Sequence, residues 1–104
     1  MKMSYKKEHV PSPLVVMRKA GYSAFTDPKT KKESFVLRLT AGYYPRWHLY
    51  LKEKNSQVIF DLHLDQKKAS YAGTNMHGGE YEGPAIKKEL MRIAGWVKAV
   101  KRGS

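Results

Sequence analysis

The sequence predicts an α+β domain: an antiparallel sheet of four to five strands with one C-terminal helix packed on its apolar face. Three observations carry that prediction. Residues 46–52 and 57–65 alternate apolar and polar side chains, residues 34–40 do the same, and residues 86–100 carry an apolar stripe at helical spacing. With 104 residues the chain has room for one core. Residues 14–104 are therefore read as a single domain behind an N-terminal arm.

That arm, residues 1–13, is expected to be extended. Pro11 and Pro13 lack an amide hydrogen and restrict Val10 and Ser12. Residues 14–19 fit either a first strand or a short helical turn. Residues 22–26 read as a strand entering a turn at Asp27-Pro28-Lys29-Thr30, where proline presets φ. In residues 34–40, Phe35, Leu37 and Leu39 point one way and Val36, Arg38 and Thr40 the other.

After a break at residues 42–45, Trp47, Leu49 and Leu51 share one face, with Arg46, His48, Tyr50 and Lys52 on the other. In the next run Val58, Phe60, Leu62 and Leu64 oppose Ile59, Asp61, His63 and Asp65. A four-residue loop at 53–56 would pair Leu49 with Phe60 and Trp47 with Leu62. It would set His48 opposite Asp61 and Arg46 opposite His63. Gly78, Gly79 and Gly83 mark a loop, and Pro84 suits the first turn of the last helix. Ile86, Leu90, Ile93, Val97 and Val100 form the stripe of that helix. Gly95 weakens it by about 1 kcal/mol relative to alanine, which suggests a bend or a close contact.

Charge narrows the function. Lys and Arg number 20 against 9 Asp and Glu, a net charge of +11 with histidines neutral. Residues 1–32 hold eight basic and two acidic side chains, and residues 84–104 hold six and one. Residues 57–83 reverse the sign, with two basic and four acidic. Such an excess gathers polyanions, so nucleic acid, RNA or DNA, is the expected partner. Cysteine is absent, which excludes disulfides, thiolate metal sites and thiol catalysis. No apolar run approaches the ~20 residues of a bilayer span. The N-terminus does not read as a signal peptide, so a cytoplasmic protein without a membrane partner is expected.

Three constellations carry candidate chemistry. Asp61, His63 and Asp65 share one strand face, His48 can meet them from the neighbouring strand, and His77 lies in the glycine-flanked loop. Nitrogen and carboxylate donors in this mix suit a divalent Zn, Mn or Mg ion that activates water, although their spacing matches no named metal motif. His63, between two carboxylates, is the candidate catalytic residue, as a general acid. The second constellation is residues 43–54, where Arg46, Tyr50 and Lys52 combine cations for phosphates with a ring for bases. The third is the basic ends, with Lys88 and Arg92 on the last helix as further phosphate contacts.

Residues 60–64 bear a short likeness to the His-hydrophobic-His strand of rolling-circle replication endonucleases. Asp61 stands in place of the first histidine, and the helix expected from Pro84 onward has no tyrosine nucleophile, so membership is not implied.

A nucleic-acid-binding module without catalysis is the expected function. A metal-dependent phosphodiesterase or nuclease-like hydrolase is the alternative, separated from it by chelator-sensitive cleavage. A domain that binds an acidic protein partner is the third reading, separated by failure of DNA and RNA to compete.

Overall fold

The computed structural model describes residues 1–66 and 78–103, with side chains in the last helix described from residue 83 onward. Its elements are strand β1 (Lys2–Lys6), a single 3₁₀ turn (Lys7–His9), helix α1 (Pro13–Lys19), strands β2 (Ser23–Thr26), β3 (Glu33–Arg38), β4 (Arg46–Lys54) and β5 (Gln57–Asp65), and helix α2 (Gly78–Lys101). The strands form one sheet in the order β1-β5-β4-β3-β2, every neighbouring pair antiparallel. The α+β class, the antiparallel sheet and the C-terminal helix agree with the sequence reading.

Strand alternation puts one set of side chains in the core. Trp47 and Leu49 from β4, and Val58, Phe60, Leu62 and Leu64 from β5, are buried with Val16 and Met17 of α1 and Ile86, Leu90, Ile93 and Val97 of α2. Phe35 and Leu37 of β3, and Met3 and Tyr5 of β1, pack against the same cluster. Each fully buried large side chain such as Phe60 contributes roughly 1.5–3 kcal/mol by leaving water. Both helices thus lie on one face of the sheet. A polar bridge ties α2 to the connection between α1 and β2: the Tyr22 hydroxyl donates to Glu89 at 2.6 Å, and Arg92 donates to Glu89 and to the Ala20 carbonyl. Burial and the neighbouring Glu89 push the Tyr22 phenol far above its ordinary range.

Three local expectations change and one open alternative resolves. Residues 2–6 are an edge strand rather than an arm, because Met3 and Tyr5 alternate inward beside β5. Val10, on the same segment, is 2% exposed. Residues 14–19 resolve as helix, with Pro13 at its start. Helix α2 begins at Gly78, so Pro84 lies inside it; its missing amide leaves one carbonyl of the preceding turn without a helical partner. At Gly95 an added Cβ would meet nothing within 4 Å, so no close contact explains that glycine.

The hairpin register moves by two residues. The loop between β4 and β5 is only Asn55 and Ser56, both with positive φ (53° and 62°), as a two-residue hairpin turn of type I′ needs. Leu49 therefore pairs with Leu62, Trp47 with Leu64, His48 with His63 and Arg46 with Asp65. A shift of two preserves every side chain's face, so the apolar face stays as expected while the polar neighbours change.

Candidate functional site

The second face of the sheet carries Lys2 from β1, Asp61, His63 and Asp65 from β5, Arg46, His48, Tyr50 and Lys52 from β4, Ser34 from β3 and Phe25 from β2. Cross-strand pairing sets Asp61 beside both Lys2 and Tyr50, and His48 beside His63. The helices occupy the other face; on this one Ser34, Arg46 and Asp61 are buried at the centre and the exposed side chains lie around them. The side chains of His63 and Lys52 are 50% and 52% exposed.

Two aspartate–histidine pairs organise the face. In the first, one oxygen of Asp65, Oδ2, accepts from Arg46 Nε at 3.2 Å and lies 2.9 Å from His48 Nδ1. A carboxylate only accepts, so Nδ1 carries hydrogen. His48 Nε2 lies 2.7 Å from the Ser34 hydroxyl, which also reaches the Phe25 carbonyl at 3.4 Å. The connectivity is that of a Ser-His-Asp acyl-transfer triad. Ser34, however, is only 2% exposed, so its oxygen meets no substrate and the chain acts as a brace.

Arg46 completes this brace. Its guanidinium lies 4.4 Å from the Tyr43 ring centroid, 5.0 Å from that of Phe25 and 5.4 Å from that of Tyr44. Burial works against its charge, but Tyr43 and Asp65 outweigh burial and hold the guanidinium above its ordinary pKa. It was expected to grip phosphates. At 6% exposure it is instead an internal cation that fixes aromatic rings.

The second pair is more open. Asp61 Oδ1 lies 3.1 Å from His63 Nε2 and 3.9 Å from the N-terminal amine, while Lys52 Nζ donates to Oδ2 at 3.4 Å. Burial opposes ionisation of Asp61, yet His63, Lys52 and the N-terminal amine together hold its carboxyl below the ordinary range. Tyr50 sits between the two pairs. Its ring stacks on His48 at 4.7 Å and meets His63 edge to face at 6.0 Å.

The structure separates the residues proposed to hold a metal. His48 with Asp65, and His63 with Asp61, are two self-contained pairs, and His77 lies outside the described residues. Among the described residues no group of three or more histidine, aspartate or glutamate side chains is placed to hold an ion. Among the described residues the four candidate donors therefore do not converge on one ion: alternation along a strand put them on one face, but each carboxylate turned to its own histidine and cation.

The candidate phosphate contacts also divide. Tyr50 and Lys52 stand on the open face. Lys88 and Arg92 stand on α2, in the other layer, and Arg92 is engaged by Glu89. Burial lowers the pKa of Arg92 less than its hydrogen bond to Glu89 raises it, so it stays charged in that partnership. Sequence reasoning missed Ser34 and Phe25. Ser34 has the parity of Val36 and Arg38, a usable signal, whereas nothing local marks Phe25.

Among the described residues no helix is long and apolar enough to cross a membrane. Comparison with known protein families, curated proteins and solved structures returns no match.

Proposed function

We propose that the protein binds single-stranded nucleic acid on the open face of its sheet, with Tyr50 as the stacking ring and lysines as phosphate contacts. The observation that carries this reading is the position of Tyr50: a ring braced by His48 on a sheet face that both helices leave uncovered. Exposed Lys2, Lys6, Lys52, Lys54 and Arg38 share that face. Its two carboxylates, Asp61 and Asp65, are each engaged by cations. The remaining field is positive, which attracts a phosphate backbone, while a ring offers its face to any unpaired base. A cytoplasmic setting belongs to the same reading.

A salt series with a labelled single-stranded RNA, and with DNA of the same sequence, tests it. The logarithm of affinity should fall with the logarithm of salt at a slope of about −0.7 per contacted phosphate. Tyr50→Ala should lose about 1–3 kcal/mol of binding, roughly 5- to 150-fold. Affinity indifferent to both salt and Tyr50→Ala would remove the proposal.

A further inference from the structure

The two histidines of the open face differ in what they leave available. His48 has one nitrogen on Asp65 and the other on Ser34, and its side chain is 12% exposed. Among the described residues His63 has only Nε2 engaged, on Asp61, and it is half exposed. Asp61 accepts, so Nε2 carries the hydrogen and the lone pair of the neutral ring falls on Nδ1. No described residue partners that nitrogen. Lys52 reaches the other oxygen of the same carboxylate. An exposed base and an exposed ammonium thus straddle one buried anion, on the face proposed above to bind nucleic acid.

We propose that this arrangement cleaves RNA without a metal, with His63 as general base and Lys52 as the ammonium at the scissile phosphate. The proposal rests on the nucleic-acid reading above and departs from the expectation of a module without catalysis. His63 Nδ1 takes the proton of a ribose 2′-hydroxyl while O2′ forms a bond to phosphorus. The P–O5′ bond breaks, and O5′ leaves with a proton from Lys52 Nζ. The products are a 2′,3′-cyclic phosphate and a 5′-hydroxyl. His63 then releases its proton to solvent and Lys52 regains one, so no co-reactant is consumed. DNA lacks the nucleophile and should bind uncut. Asp61 is a positioning residue, because it fixes the tautomer and holds both partners without meeting the substrate.

The experiment uses the full chain and its His63→Gln and Lys52→Met variants, purified identically, with an end-labelled single-stranded RNA in excess EDTA. Binding is measured in parallel. The wild type should cut at least about 100-fold faster than His63→Gln, the scale of a lost general base. Lys52→Met should lose about 100-fold, the scale of a lost charge stabiliser. New ends should be cyclic phosphates, and a single 2′-deoxyribose should block cutting at its own position. RNA that is bound but left intact, cut equally by His63→Gln, or cut only when metal is restored overturns the catalytic proposal and leaves the binding reading in place. RNA that is not bound at all overturns both.

Discussion

The pairs Asp65–His48 and Asp61–His63 are built from the same residue types on adjacent strands, yet they do different work. His48 is enclosed: Asp65, Ser34 and the stacked Tyr50 take both nitrogens and one ring face. His63 shares its carboxylate with Lys52 and keeps half of its side chain in water. The difference comes from position in the sheet. β4 is central, so His48 has Val36 of β3 on one side and His63 of β5 on the other, whereas the β1–β5 ladder ends at Lys2–Asp61 and His63 is paired only with His48. A histidine with a strand partner on each side is enclosed, and one with a partner on one side keeps half of its side chain in water.

The largest expected effect lies in the enclosed pair. Arg46→Ala removes a buried cation from Asp65 and from three aromatic rings, and should cost about 3 kcal/mol in urea unfolding. His48→Ala removes one hydrogen-bond partner from each of Ser34 and Asp65 and should cost about 2 kcal/mol. Asp61 gives a smaller, pH-dependent effect. Its folded pKa lies below the ordinary value, so its stabilisation is present above the unfolded pKa of about 3.9 and is lost as pH falls through the folded value. The stability difference between wild type and Asp61→Asn should therefore narrow in acid. His63→Ala should change stability by no more than about 0.5 kcal/mol. Equal costs for His48→Ala and His63→Ala in the same melts would erase the distinction between the pairs.

The apolar face was legible in the sequence because strand alternation is local. Trp47, Leu49, Phe60 and Leu62 needed only their parity, which survives a shift of two residues. The pairing of polar side chains was not legible, since it depends on loop length. Ser56 adopts φ 62° where glycine is the usual signal, so the chain hides its two-residue turn. β1 was obscured by the lysines that alternate with Met3 and Tyr5 and by the two prolines that follow. Ser34 and Phe25 join the site through β2–β3–β4 pairing, which no short window contains. The four described donors of the metal expectation stay apart for a related reason. A shared face says which donors are near one another, but hydrogen-bonded partners decide where each lone pair points.

Amide chemical-shift mapping of the labelled protein during titration with a short single-stranded RNA tests the central claim most directly. The account predicts that the largest shifts gather on the open face, at Tyr50, Lys52, Asp61 and His63, with Lys88 and Arg92 on α2 little changed. Shifts centred on α2, or none at low salt, would contradict it.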